Sequence, residues 1–230
     1  MRVSIRKRFA GGSLLAANYT YSKALSNGDG SPQDTYDLQA NYGPTSFDRT
    51  HVFTVYFVYH VPALRDQKGW IGHALGGWET SGIVSYGSGF FLTAHTINVD
   101  PAGLGILATG TSASGGTPDY ISNPNSGAPH TLQQWFNKSA FGRVPAGQYR
   151  IGNAGIGTIL GPRYENWDLS LFKNFRPKEW LNFQLRGESF DTFNHTNFSG
   201  VGTTLGQTNY GQITSTGPAR VLQLAAKLTF

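Results

Sequence analysis

Apolar and polar residues alternate along seven separate stretches of the chain, with the period of two that marks a half-buried β-strand. In the third stretch, for example, Phe53, Val55 and Phe57 fall on one face, while Thr54 and Tyr56 fall on the other. The predicted strands cover residues 2–9, 14–23, 48–61, 77–89, 166–175, 180–191 and 219–230. Strands of this length exceed the ~5–6 residues usual in globular sheets and suit the ~9–11 residues of a tilted strand that crosses a bilayer.

The connections between these strands alternate between short and long. Residues 10–13 and 176–179 form short turns, and residues 62–76 form an intermediate one. The connections after the second, fourth and sixth strands are long. In an up-and-down sheet this places every long loop at one end, as in outer-membrane barrels, whose short turns face the periplasm. The pattern predicts an all-β fold, an antiparallel up-and-down transmembrane β-barrel segment of about seven strands.

Composition agrees with this prediction. Charged residues are only 13% of the chain, whereas glycine occurs 30 times and aromatic residues make up 13%. No run approaches the roughly 18 apolar residues of a spanning helix. The chain has no cysteine, which rules out disulfides and cysteine-bound metal. The net charge of +5 is dispersed along the chain, so nucleic acid is not an expected partner.

The alternation assigns side chains to the two faces of the predicted sheet. The residues predicted to line the concave, lumen-facing side are Arg6, Glu79, Asp168, Arg186, Glu188 and Lys227. The residues predicted to share the convex, lipid-facing side are Val3, Phe57, Leu169, Leu185, Leu224 and Leu228. The final strand also resembles the signal that the barrel-assembly machinery reads, namely alternating apolar residues before a terminal aromatic. Its members here are Leu222, Leu224, Ala226, Leu228 and Phe230.

The longest connection, residues 90–163, is predicted to lie outside the cell and to carry ligand contacts. It far exceeds the ~12–15 residues beyond which unstructured connections are usually functional or disordered. Because it is rich in Gly, Ser, Thr, Asn and Pro, we expect it to build little core of its own. Its aromatic residues suggest a partly ordered lid over the barrel mouth, although they could serve only to hold the loop to the rim. These candidate ligand-loop aromatics are Tyr120, Trp135, Phe136, Phe141 and Tyr149.

Nothing in the sequence predicts catalysis or a resident metal or cofactor. Residues 48–51 (DRTH) resemble a catalytic cluster but have no nucleophile elbow nearby, so we expect Asp48 and Arg49 to form an ion pair that holds the loop. Residues 27–31 (NGDGS) lack the glutamate that closes a calcium loop, and the histidines show no ligand spacing. The chain is therefore not expected to be an enzyme.

An ordered series of motifs resembles one known family. The matching runs are residues 18–25 (NYTYSKAL), 47–55 (FDRTHVFTV), 76–89 (GGWETSGIVSYGSG), 135–141 (WFNKSAF), 161–175 (GPRYENWDLSLFKNF), 186–198 (RGESFDTFNHTNF) and 211–230 (GQITSTGPARVLQLAAKLTF). Together they resemble the C-terminal barrel region of Oar-type TonB-dependent receptors. The resemblance implies active uptake across the outer membrane of a Gram-negative bacterium, through a barrel of about 22 strands closed by a plug.

Several expectations follow from this resemblance. Residues 1–230 would be the C-terminal portion of a longer precursor, with the plug, the remaining strands and the signal peptide outside this sequence. The expected partners are outer-membrane lipid, the barrel-assembly machinery and those missing parts, with TonB contacted only through the plug. A small passive, porin-like channel and a secreted carbohydrate-binding β-sandwich remain as alternatives.

Overall fold

A computed structural model describes residues 1–28, 33–34, 36–64, 67–97, 100–103, 116–178 and 180–230. Seven long strands form one antiparallel sheet, in which each strand pairs with its neighbours along the chain. The strands are β1 (Arg2–Arg8), β2 (Leu14–Tyr21), β3 (His51–His60), β4 (Trp78–Gly87), β5 (Tyr164–Lys178), β6 (Leu181–Phe190) and β7 (Val221–Thr229). All seven predicted strands and their up-and-down order are confirmed.

Strand β5 is longer than the sequence predicted. The segment around Pro177 was expected to form the turn, but the strand continues through it to Lys178. The pairing of β5 with β6 shifts register between Phe175 and Lys178. An irregularity of this kind accommodates a proline, which has no N–H to donate to the ladder.

The register of the strand pairs shows which side chains share a face of the sheet. Arg6 lies opposite Ala16, which lies opposite Tyr56. Tyr56 in turn lies opposite Ile83, and Ile83 lies opposite Asp168. Directly paired residues of antiparallel strands point to the same side of a sheet, so this row and its alternate neighbours define one face.

The remaining elements are short and lie in the connections. One α-helix, α1 (Gly69–Leu75), stands between β3 and β4, and 3₁₀ turns occupy Ala10–Gly12, Leu38–Asn41 and Lys138–Ala140. In the described parts of the long connections, five short strand pairs occur: Leu25–Ser26 with Gly43–Pro44, Phe91–Leu92 with Ile159–Leu160, His95–Thr96 with Thr204–Leu205, Asp119–Tyr120 with Phe141–Gly142, and Phe198–Val201 with Ile213–Thr216. Within the described ranges, no helix has the length and hydropathy needed to span a membrane.

The two ends of the sheet differ as the connection lengths predicted. The described residues of the connections 9–13, 61–77 and 179–180 lie at one end. The described residues of the connections 22–50, 88–163 and 191–220 lie at the other end, and together we call them the loop layer. The loops are joined to one another: the Thr117 backbone N–H donates to Gln33 Oε1 over 3.1 Å, and the Trp135 N–H donates to the Gly211 carbonyl over 2.7 Å.

Candidate functional site

One face of the sheet carries polar and charged side chains. The strand register places all six residues predicted to face the lumen on this face: Arg6, Glu79, Asp168, Arg186, Glu188 and Lys227. Two of them, Arg186 and Glu188, approach within 3.4 Å on β6, and Glu79 lies 3.3 Å from His60 Nε2. The other three are spread across the sheet, so this face forms a polar wall rather than a compact site. That it lines a lumen stays a prediction.

Further polar contacts order this wall near the middle of β5 and β6. Gln184 donates to Asn174 Oδ1 over 2.9 Å across the two strands. The Arg186 guanidinium lies 5.0 Å from the centre of the Phe172 ring, which is buried beneath it. These contacts hold charged side chains against the strands in a surface suited to water.

The opposite face is apolar and largely uncovered. It carries the residues predicted to face lipid: Val3, Phe57, Leu169, Leu185, Leu224 and Leu228. Leu224 is 88% exposed, and Val3, Leu185 and Leu228 are also exposed. An apolar surface of this extent is unfavourable in water and is what a membrane-spanning wall presents to hydrocarbon. It does not agree with a β-sandwich, whose apolar faces pack against each other in a closed core.

The residues of the predicted assembly signal lie on the edge strand β7. Leu222, Leu224, Ala226 and Leu228 alternate along the apolar face, and Phe230 follows the last strand residue with its side chain exposed. The structure thus places the signal in one row along a free edge. Its recognition by the assembly machinery stays a prediction.

The main cluster of buried apolar side chains among the described residues lies in the loop layer, not in the sheet. It consists of Ala94, Phe136, Ala140, Phe141, Ala154, Ile159 and Tyr210, flanked by Leu92, Trp135, Val201 and Leu205. Phe136 packs edge-on against Phe141 and Tyr210, with ring centres 6.2 and 5.3 Å away. Burial raises the pKa of the Tyr210 hydroxyl to about 12, and that hydroxyl donates to the Lys138 carbonyl. The expectation that the long loop builds little core is therefore wrong.

The five candidate ligand-loop aromatics differ in how far this core and its surroundings bury them. Phe136 and Phe141 are buried, so they stabilise the loops and offer no surface to a ligand. Trp135 is half-buried and donates its indole N–H to the Leu160 carbonyl over 2.9 Å. Tyr120 is 40% and Tyr149 is 89% exposed. Only Tyr149 has most of its side chain accessible for contact, since Tyr120 packs edge-on against Phe141 with ring centres 6.1 Å apart.

A cleft of about 620 Å³ opens in the loop layer beside Tyr149. Thr117, Arg143 and Ile151 contribute to its walls. It offers the Tyr149 ring and the Arg143 guanidinium to an occupant, and its volume lies within the usual range of ligand pockets.

An ion pair next to this cleft holds the short strand Asp119–Tyr120 in place. The Arg150 guanidinium donates to both Asp119 carboxylate oxygens, over 2.6 and 2.8 Å. This bidentate bond and the N–H of Asn153 hold the pKa of Asp119 below its usual value. The pair joins residues 31 positions apart in the chain and so links two distant parts of the same connection.

The expected ion pair between Asp48 and Arg49 is absent from the described part of the chain. Arg49 instead donates to the Ser88 carbonyl, and its guanidinium lies over the rings of Phe90 and Tyr164, 3.5 and 4.6 Å from their centres. A guanidinium stacked over aromatic faces is attracted by the ring electrons, and its planar shape suits such stacking. Arg49 still holds the loop, but to β4 and β5.

No group of three or more His, Asp or Glu side chains suited to a metal ion occurs in the described ranges. Of the calcium-loop-like run 27–31, residues 29–31 lie outside those ranges.

A protein-family model described as "Outer membrane beta barrel domain" matches residues 1–223, nearly the whole chain. No curated protein and no solved structure shows a significant match.

Proposed function

Because this chain belongs to the outer membrane beta barrel domain family and is a protein of the outer membrane, we propose that it serves in TonB-dependent active uptake of a substrate. In this proposal residues 1–230 are the C-terminal portion of a receptor. They supply part of the barrel wall and extracellular loops. The polar face lines the lumen, and the loop layer covers the outer mouth.

The observation that carries this proposal is the loop layer with its own buried core. A passive channel needs an open mouth. Long loops that pack on one another, as Phe136 packs on Tyr210, would instead narrow the entrance to the lumen. Ordered loops that carry exposed aromatics and a cleft are what a receptor needs to capture a substrate before transport. The motif series 161–175 and 186–198 resembles Oar-type receptors and supports the same reading.

The open sheet also fits a portion of a larger barrel. In the described structure β1 pairs only with β2, and β7 only with β6. Backbone groups left unpaired in hydrocarbon cost several kcal/mol each, so a spanning sheet must close. We propose that further strands of the same receptor close it, that the barrel-assembly machinery inserts it, and that TonB acts through a separate plug. We also propose that the chain has no enzymatic role.

A conductance measurement separates active uptake from a passive channel. The native protein is isolated from its outer membrane, inserted into planar lipid bilayers and bathed in KCl. Active uptake predicts no steady conductance, because the lumen of a receptor at rest is closed. A stable open-pore current in most insertions would overturn the proposal in favour of a passive channel.

A further inference from the structure

Helix α1 presents apolar side chains to its surroundings at the short-turn end of the sheet. Trp70 is 81% exposed, Ile71 is 48% exposed and Leu75 is 59% exposed, and Ala74 is exposed beside them. Residues 70, 71, 74 and 75 lie at the i, i+1, i+4 and i+5 spacing that puts them on one side of a helix. The other side is covered, since Gly72 is buried.

Two side chains from the lipid-facing surface hold the C-terminal end of this helix. The Lys173 ammonium donates to the Ala74 carbonyl over 2.9 Å and to the Gly76 carbonyl. The Trp78 indole N–H also donates to Ala74. Lys173 and Trp78 are paired in the sheet and share the apolar face with Leu169 and Leu171. The end of α1 therefore lies over the outside of the wall.

A third contact fixes the start of the turn. The Gln67 side-chain amide donates to the Asn174 carbonyl over 2.9 Å and accepts the Arg176 N–H over 3.1 Å. These two bonds extend the hydrogen bonding of β5 beyond Trp78, the first residue of β4, as a strand backbone would. Gly72 packs on Gln67 so closely that an added Cβ would stand 2.7 Å from its carbonyl carbon. The exposed apolar side of α1 is thus held in a set direction.

We infer that α1 is a membrane-interface anchor whose Trp70, Ile71 and Leu75 insert between the phospholipid headgroups of the leaflet at the short-turn end. The apolar side of the helix is continuous with the lipid-facing surface through Trp78 and Lys173, so the same bilayer covers both. Tryptophan prefers this depth because its ring is apolar and its N–H is polar. Interfacial helices lie in the plane of the membrane with their apolar side ~5–10 Å into the headgroup boundary.

The absence of native cysteine allows a direct test by single-cysteine spin labelling. Labels are placed at Trp70→Cys, at Leu171→Cys on the lipid-facing strand surface, and at Tyr149→Cys in the exposed loop. The heat-modifiable protein is reconstituted in vesicles of phosphatidylethanolamine and phosphatidylglycerol. Electron paramagnetic resonance then measures collisions with oxygen, which concentrates in lipid, and with a water-soluble nickel chelate.

The inference predicts an oxygen-to-nickel ratio at position 70 that is several-fold above that at position 149 and below that at position 171, because the headgroup boundary lies between water and the hydrocarbon centre. A ratio at position 70 equal to that at position 149 would show that the helix faces water. A label at position 70 shielded from both reagents would show that protein, such as a second copy, covers the helix. Either result would overturn the inference.

A second variant tests the anchoring contacts without altering the exposed side. Lys173→Gln removes the ammonium that holds the Ala74 and Gly76 carbonyls. The spectrum of the label at position 70 should then show greater mobility, and its ratio should fall toward that at position 149. Lys68→Gln, on the exposed residue before the helix, should leave both unchanged.

Discussion

At the scale of single residues, the buried aromatic side chains concentrate where the chain meets water. Phe136 is 1% exposed, yet it lies in a loop rich in glycine and proline. The strands would not need such a core in a membrane, because the exposed side chains of Leu185 and Leu224 are expected to contact hydrocarbon there. The loops outside the bilayer must exclude water in the ordinary way, and Phe136 packs with Phe141 and Tyr210 to do so.

Replacing Phe136 by alanine should therefore loosen the loop layer and spare the barrel wall. Truncation of a buried phenylalanine typically costs ~3–5 kcal/mol. We expect Phe136→Ala to increase cleavage of residues 116–160 in limited proteolysis, with unchanged heat-modifiable migration. The matched control is Tyr149→Ala, since Tyr149 is 89% exposed. Equal protease resistance of the two variants would contradict a stabilising role for the loop core.

The Asp119–Arg150 pair predicts a defined dependence on pH. The folded pKa of Asp119 is lowered, chiefly by the hydrogen bond from Arg150. The pair therefore contributes its full stabilisation of the loop when the pH is above 3.8, the ordinary pKa of an aspartate. That stabilisation is lost as the pH falls through the lowered pKa of Asp119 in the folded protein. Carboxyl titration by ¹³C NMR should give a midpoint for Asp119 below 3.8.

A matched pair of variants shows whether Arg150 is the cause. Arg150→Gln should raise the Asp119 midpoint toward its ordinary value, and Arg143→Gln, in the same loop, should leave it unchanged. A midpoint that does not move in Arg150→Gln would mean that the ion pair does not form in solution.

At the scale of elements, strand β5 has one polar face and one apolar face. Ser170 and Leu171 are neighbours in sequence, but Ser170 lies on the polar face and Leu171 on the apolar one. Leu171 is 50% exposed in the middle of the strand, where hydrocarbon would surround it. Adjacent residues should therefore respond oppositely to the same charged substitution.

We expect Leu171→Arg to reduce the amount of folded protein and Ser170→Arg to be tolerated. An arginine on the lipid side near the bilayer centre costs ~2–4 kcal/mol, whereas a lumen-facing one stays hydrated. The measurement is the heat-modifiable fraction in isolated outer membranes. Equal losses in both variants, or a loss only in Ser170→Arg, would refute the assignment of the faces.

At the scale of the whole molecule, the sheet has two free edges, and the last strand forms one of them. Leu222, Leu224, Ala226 and Leu228 line this edge, with Phe230 91% exposed beyond it. No contact in the described structure explains an aromatic residue at that position. We expect Phe230 to act during assembly of the barrel, before further strands close the sheet.

Deleting Phe230 should lower the amount of assembled barrel in the membrane without changing substrate affinity. The quantity to measure is heat-modifiable protein per cell, together with uptake per assembled molecule. Phe47→Ala is a suitable control, because Phe47 is also exposed but lies in a loop. Normal membrane levels with lost uptake would assign Phe230 to transport instead.

The sequence by itself determined the strands, their order and their two faces. A side-chain period of two is a local property, so Leu169, Ser170 and Leu171 reveal their sides without knowledge of any partner. The alternation of short and long connections likewise revealed the two ends. The resemblance of runs such as 161–175 suggested a more specific function, which goes beyond what the family match establishes.

Only the tertiary structure decided the contacts between segments far apart in the chain. Three such contacts are the core around Phe136, the stacking of Arg49 on Phe90 and Tyr164, and the hydrogen bonding of the Gln67 amide to β5. No repeating pattern in the sequence links the residues that these contacts join. Composition predicted that the loop 90–163 would build little core of its own. A few aromatic and alanine side chains from residues 88–163 and 191–220 suffice, because the sheet brings both loops to the same end. The free energy of such packing depends on which loops meet, and that follows from the order of the strands rather than from either loop alone.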